Sequence, residues 1–325
     1  MRNALAALAI ASMFAGTGPA ISQSSGQIAT LNQNTVGVMA DTAGSLGLAL
    51  NFARALDHEN DLRLLPMAGK GPVQTLTDLL TLRGVDAAIL PSDTLAYAVA
   101  NQLLEGAPAR VSFIARLASL DVHVLAGRHI KTLADLEGKR VAAGSTGSGS
   151  FIAASLIFPA MGVSIDEVPL ADADAIAALK RGDVDAAVIV APRPAAALLT
   201  LKPRDGLHLV GVPASGILAD VYAPAILTAA DYPKLLRKGE SVETAASALV
   251  VAVFNAPRNS ERYYKLRRFT EALFDSLNPE DGAAAGINLA AEVPGWKRYV
   301  AAQEWLDARR GTAQAKYSMT IVRED

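Results

Sequence analysis

The chain contains no cysteine, and this absence removes several classes of protein. Disulfides, thiolate nucleophiles, zinc–thiolate sites and iron–sulfur clusters all require that residue. The cysteine that carries the lipid of a bacterial lipoprotein is missing as well.

Histidines, aromatic residues and excess positive charge are also scarce. The four histidines are His58, His123, His129 and His208, and none has the H-E-x-x-H spacing of a metal site, so we expect ordinary surface or hinge residues. Aromatic residues make up 5% of the chain, so alanine, leucine and valine must form the core. The net charge of −2 is not typical of a nucleic-acid-binding protein. We expect no metal, no cofactor and no nucleic-acid partner.

Apolar runs are too short to span a bilayer. The N-terminus has Arg2, an apolar run at residues 4–14 and the small-x-small sequence Ala20-Ile21-Ser22. This order is typical of a secretory signal peptide, which we predict at residues 1–22. An uncleaved N-terminal anchor is the alternative. The signal peptide predicts a protein that is exported from the cytoplasm.

Short apolar strands and amphipathic helices alternate from residue 35 onwards. The predicted strands cover residues 36–39, 62–66, 87–90, 141–143 and 186–190, and the predicted helices cover 46–56, 73–82, 151–161, 173–179, 260–277 and 295–309. Such alternation is typical of an α/β protein in which helices flank a mainly parallel sheet.

One sequence pattern occurs twice. The segment LRGVDAAIL at 82–90 resembles KRGDVDAAVIV at 180–190, and each copy predicts a helix end, a glycine C-cap, an aspartate and a buried strand. Coincidence between common α/β sequences is the alternative. We interpret the pattern as two similar lobes joined by a two-segment hinge, with the apolar segments at 121–126 and 249–254 as the crossovers between the lobes. The predicted lobe 1 comprises residues 35–122 and 250–325, and lobe 2 comprises 123–249.

Turns rich in glycine and serine follow the predicted strands, at the edge where parallel sheets bind ligands. In the turn Gly144–Ser150, glycines allow close approach to a ligand, and the following helix start favours an anion. A plain helix cap is the alternative. The candidate ligand-binding residues are Thr42, Gly44, Ser45, Lys70, Ser92, Asp93, Gly147, Ser148, Gly149, Ser150 and Arg193.

Two charged residues follow the repeated strands, one in each predicted lobe. We expect Asp93 and Arg193 to face a common cleft, where Asp93 pairs with an ammonium group and Arg193 with a carboxylate. Lys70, between two glycines, is a further candidate cation. The alternative places these residues in ordinary surface turns. No G-x-S-x-G element is present, and we predict no catalytic residues.

The ordered set of motifs resembles the TAXI-type solute-binding proteins that serve TRAP transporters. The resemblance covers residues 36–277 and is carried by TAGSLG at 42–47, GVDAAILPSD at 84–93, LADLEGKRV at 133–141, the turn at 144–150, ALKRGDVDA at 178–186 and DYP at 231–233. Leu48, Ala49, Lys70 and Arg193 depart from the family's usual residues.

This resemblance implies a periplasmic-binding-protein fold of type II and a non-catalytic role. The protein would be a monomer that captures an amino acid or organic acid with a carboxylate and delivers it to the membrane permease of a TRAP transporter. Three alternatives stay open: the ligand subunit of an ABC importer, a sensory module, and a periplasmic enzyme such as a dehydratase that uses an acidic residue.

Overall fold

The computed structural model describes residues 34–41, 45–56, 62–277 and 287–321, with side chains up to residue 310. The predicted signal peptide lies outside these residues. The strands are β1 (Thr35–Asp41), β2 (Arg63–Gly69), β3 (Ala87–Pro91), β4 (Val111–Gly127), β5 (Arg140–Ala142), β6 (Asp166–Val168), β7 (Ala186–Ala191), β8 (Leu207–Val210), β9 (Ala223–Thr228) and β10 (Ser241–Phe254).

The helices alternate with the strands, as the sequence predicts. They are α1 (Ser45–Leu56), α2 (Pro72–Thr81), α3 (Asp93–Ala100), α4 (Ala107–Arg110), α5 (Gly149–Ala160), α6 (Asp172–Arg181), α7 (Ala196–Leu199), α8 (Glu261–Leu277) and α9 (Val300–Ile321). Among the described helices, none is both long enough and apolar enough to cross a membrane.

Two groups of parallel strands are joined by a pair of long antiparallel strands. The sheet order is β2-β1-β3-β10-β4-β7-β5-β6, and β8 and β9 pair with β4 and β10. Strands β2, β1 and β3 are parallel to one another, and so are β7, β5 and β6. Strands β4 and β10 pair with each other and extend into both groups. The α/β class and the two groups of helix-flanked parallel strands confirm the predicted fold.

The carboxyl ends of β3 and β7 point toward each other. Strand β3 ends at Pro91, which lies opposite Leu249 of β10. Strand β7 ends at Ala191, which lies opposite Asp121 of β4, and Asp121 in turn lies opposite Ala246. Both strand ends therefore reach the same short stretch of the crossing strands. We call this stretch, residues 116–121 and 246–249, the crossing centre.

Each half of the molecule has its own buried core. In the first half, two clusters draw their buried residues from positions 36–115 and 248–306. In the second half, two clusters draw theirs from positions 122–245. The boundary between the two cores lies between Ala115 and Val122 on β4, and between Ala245 and Ala248 on β10. This boundary falls close to the predicted lobe limits, which stay a prediction.

The repeated aspartates make equivalent contacts in the two halves. Asp86 accepts a hydrogen bond from the backbone N–H of Gly37 at 3.2 Å, and its own N–H donates to the carbonyl of Gly37. Asp185 forms the same reciprocal pair with the backbone of Arg140, at 3.1 Å. Each aspartate thus connects its strand to the neighbouring parallel strand, which explains why the pattern occurs twice.

Several local predictions were wrong or incomplete. Gly182 is the left-handed C-cap of α6, but the C-cap of α2 is Leu82, and Gly84 lies two residues further on with φ of 89°. Strands β6, β8 and β9 and helices α3, α4 and α7 were missed, and the helix predicted at 295–309 instead begins at Val300 and ends at Ile321. The apolar segments at 121–126 and 249–254 are the ends of strands that are 17 and 14 residues long.

Candidate functional site

The turn before α5 has the capped helix start that its sequence predicts. Ser148 is the N-cap, and its hydroxyl oxygen accepts the N–H of Phe151 at 3.2 Å. Gly147 has a φ of 78°, a left-handed conformation that glycine adopts at no steric cost. The hydroxyl of Ser150 is buried and accepts the N–H of Val190 at 3.0 Å. Ser150 thereby connects the helix start to β7.

This turn lies against the strand ends of the first half. A Cβ added to Gly71 would lie 3.4 Å from the carbonyl oxygen of Gly147, and one added to Gly149 would lie 3.9 Å from Pro91. Next to these contacts, the rings of Tyr97 in α3 and Phe151 in α5 meet edge to face, with centroids 6.1 Å apart. The predicted turns of the two halves therefore contact each other, which the repeat alone could not show.

Ser92 and Asp93 begin α3 at the crossing centre. The hydroxyl oxygen of Ser92 accepts the N–H of Ala248 at 2.9 Å, and the N–H of Ser92 donates to the carbonyl of Ala248. The indole N–H of Trp296 donates to the carbonyl of Ser92 at 2.8 Å. These bonds hold the start of α3 firmly against β10.

Asp93 is completely buried and contacts the second half directly. The hydroxyl of Tyr222 donates to its Oδ2 at 3.1 Å, and its Oδ1 has no hydrogen-bond partner among the described residues. Burial raises the pKa of Asp93 to about 7, because the bond from Tyr222 only partly offsets the loss of water. Asp93 is therefore an acid whose charge changes near neutral pH, in a position between the halves.

Arg193 contacts one residue of the crossing centre and one of its own half. Its Nε lies 2.8 Å from Oδ2 of the fully buried Asp121, and its guanidinium also donates to the carbonyl of Ile226. Among the described residues, no contact connects Arg193 with the Ser148–Ser150 turn or with Asp93. That Arg193 and Asp93 face a common cleft stays a prediction, but the contact with Asp121 shows that the charge of Arg193 already has a partner.

The remaining predicted residues are placed as follows. Thr42 and Gly44 lie outside the described residues. Ser45 begins α1, is buried, and donates to the carbonyl of Asp41 at 3.1 Å. Lys70 is exposed beside Gly71, and it has no ion pair or hydrogen bond with any described residue.

Sequence reasoning missed the residues that complete these contacts. Asp121 stands at the start of an apolar segment, and a charge in that position was the available signal. Tyr222 gave no signal, since it lies 129 residues from Asp93. His123, expected as an ordinary surface or hinge residue, is fully buried on β4. Its Nε2 lies 2.6 Å from the hydroxyl of Tyr232.

This chain is similar to several solved structures. A structure of XAC2383 from Xanthomonas citri bound to chloride is similar with a TM-score of 0.50 and 10% identity, over 77% of this chain and 86% of that one. A TctC solute-binding protein from Polaromonas has a TM-score of 0.47 and 17% identity, over 89% of this chain and 98% of that one. The periplasmic aliphatic sulphonate-binding protein SsuA of Escherichia coli has a TM-score of 0.43 and 20% identity, over 76% of this chain and 75% of that one.

The class of the protein follows from its fold. Two groups of parallel strands, joined by two crossing strands and with their helix starts in contact, form the periplasmic-binding-protein fold. Residues 45–291, well over half of the chain, match the model of the NMT1-like family, and the chain belongs to this family.

Proposed function

We propose that this protein is an exported solute-binding protein that encloses a small anionic solute between its two halves. The observation that carries the proposal is the meeting of the carboxyl ends of β3 and β7 at one crossing centre. Ligands of open α/β sheets bind at such ends, where helix starts present backbone N–H groups. Membership in the NMT1-like family and the solute-binding titles of similar folds support the same role.

Closure would occur by rotation about the crossing strands. Within the described residues, the chain passes between the two cores on β4 and β10, and the pairing register of these strands shifts between Leu249 and Val250. Two connections of this kind allow a hinge movement, and the shift interrupts the regular ladder near its middle. The contacts of Gly71 with Gly147 and of Asp93 with Tyr222 would then separate and re-form with each cycle.

The finer assignment is to the TAXI type, with a TRAP-type permease as the partner in the membrane. The motif order supports the TAXI assignment, and the predicted signal peptide supports a periplasmic location. We expect solute uptake by cells that carry both this protein and its permease, and no uptake when the gene for this protein is deleted. Dependence of uptake on an ATPase subunit would instead favour an ABC importer.

A thermal-shift screen of amino acids, organic acids and sulfonates tests the binding role. A solute that binds only the native state raises the melting temperature, by an amount that grows with its concentration. We expect hits among anionic solutes. Nuclear magnetic resonance of each hit after incubation should recover the compound unchanged. Steady conversion of a hit to product would refute a pure binding role and favour the enzyme alternative.

A further inference from the structure

The middle of β4 is less covered than either of its ends. Residues 111–115 and 121–126 are buried, but residues 116–120 are only half-buried. This uncovered stretch lies at the crossing centre, between the ends of β3 and β7. A solute enclosed between the halves would therefore meet this stretch of β4.

Arg116 is the charged residue of the uncovered stretch. It lies opposite Val250, which in turn lies opposite Leu90 near the end of β3. Among the described residues, Arg116 has no ion pair, hydrogen bond or ring contact, and its nitrogens are not among the fully buried unpaired atoms. Its guanidinium is therefore both unpaired and accessible to water.

The polar neighbours of Arg116 do not neutralise it. Arg116 and Ser119 lie opposite Val250 and Ala248, which places both on one face of the sheet, because alternate residues of β10 share a face. The hydroxyl of Ser119 donates to Asp121 at 2.9 Å, and Asp121 is paired with Arg193. The Asp121 carboxylate is thus already paired, and none of the ion pairs among the described residues includes Arg116.

We infer that Arg116 binds the anionic group of the solute, in the role that sequence reasoning gave to Arg193. A guanidinium presents paired N–H donors that match the two oxygens of a carboxylate or sulfonate. A half-buried position strengthens that pairing, because less water screens it. Ser92 lies across β10 from Ser119, so the start of α3 borders the same place. This inference rests on the proposed function.

The test compares Arg116→Gln and Arg116→Lys with a matched control, Arg83→Gln, which removes an exposed arginine in the turn before β3. The probes are succinate, L-glutamate and methanesulfonate, with the neutral compounds succinamide and methanesulfonamide. Calorimetric titration of each variant gives its Kd, and the separate carboxylate and sulfonate probes identify the preferred anion. Because Arg116 has no described partner, its loss should leave the melting temperature of the ligand-free protein nearly unchanged.

We expect at least one anion to bind the wild-type protein while its neutral counterpart does not. Arg116→Gln should weaken that binding tenfold or more, Arg116→Lys less, and Arg83→Gln not at all. Unchanged affinity in Arg116→Gln, or equal binding of the neutral compounds, would overturn the role of Arg116 and leave the binding function intact. A wild-type protein that binds nothing in the panel or in the wider screen would refute the proposed function, and Arg116 would lose its role with it.

Discussion

At the scale of single residues, burial shifts the pKa values of Asp93 and His123 in opposite directions. It raises the pKa of the Asp93 carboxyl to about 7 and lowers the pKa of the His123 imidazole, since both groups become harder to charge. With His123 neutral, Nδ1–H can donate to the carbonyl of Ile189 at 3.1 Å while Nε2 accepts from Tyr232. Burial thus favours the uncharged form of both groups in the folded protein.

The two groups make opposite contributions to stability as pH changes. Between about pH 4 and 7, Asp93 keeps its proton in the folded state and loses it in the unfolded state, so its contribution falls as pH rises. As pH drops below the ordinary pKa of histidine, His123 gains a proton in the unfolded state before it does so in the folded state. Its contribution to stability therefore falls as pH decreases. A single titration of the wild-type protein mixes both effects.

Replacing Asp93 by asparagine isolates the carboxyl. The free energy of unfolding of Asp93→Asn, relative to wild type, should increase by up to about 1.4 kcal/mol per pH unit from pH 4 to about 7 and then level off. Urea unfolding at four pH values measures this difference. Asp174→Asn, at an exposed position in α6, controls for loss of a carboxylate. A difference that stays constant with pH would show that Asp93 ionises normally.

At the scale of secondary-structure elements, close packing of β1 on the turn before β3 requires a residue without a side chain. A Cβ on Gly37 would lie 1.8 Å from the carbonyl oxygen of Gly84. Asp86 strengthens the same place, because it bonds Gly37 and also pairs with Lys265 at 2.7 Å. Close backbone packing and the contacts of Asp86 therefore hold β1 against the turn before β3.

Two glycine-to-alanine changes should have opposite effects. Gly37→Ala should destabilise the protein by about 3 kcal/mol, because the backbone must move to remove the clash. Gly47→Ala, in α1 with nothing within 4 Å of the added Cβ, should stabilise it by about 0.5–1 kcal/mol through helix propensity. Urea midpoints of the two variants give the comparison. A Gly37→Ala protein as stable as wild type would contradict the described strand packing.

At the scale of the whole molecule, the two halves meet through a few direct contacts and two strands. The contacts that connect the halves include the hydrogen bond from Tyr222 to Asp93, the ring contact of Phe151 with Tyr97, and the close approach of Gly295 to the carbonyl of Asp220. Little buried polar bonding opposes their separation among the described residues, apart from the Tyr222–Asp93 hydrogen bond. Opening and closing with solute is therefore compatible with the described contacts.

The absence of native cysteine makes this movement measurable with spin labels. Arg83→Cys with Lys139→Cys places one label on an exposed position of each half, and Arg83→Cys with Glu105→Cys places both on the first half. A saturating solute from the screen should shift the distance distribution of the first pair and leave that of the second unchanged. Identical distributions for the first pair with and without bound solute would contradict the hinge.

The local sequence determined the alternation of strands and helices in the two parallel groups, because hydrophobic periodicity and glycine turns act over a few residues. It did not reveal the short strands β6, β8 and β9 or helix α3. The repeated Gly-x-(x)-Asp pattern likewise predicted two related halves, and Asp86 and Asp185 do make equivalent bonds. The turn at 144–150 and its capped helix could be predicted for the same reason.

Only the tertiary structure decided which charges are paired. The sequence pointed to Arg193 as the anion-binding residue and did not single out Arg116, but Asp121 contacts Arg193, while Arg116 has no described partner. The burial of Asp93 against Tyr222 likewise depends on residues that lie far apart in the chain. Pairing and desolvation are set by long-range packing, and no short sequence pattern contains that information.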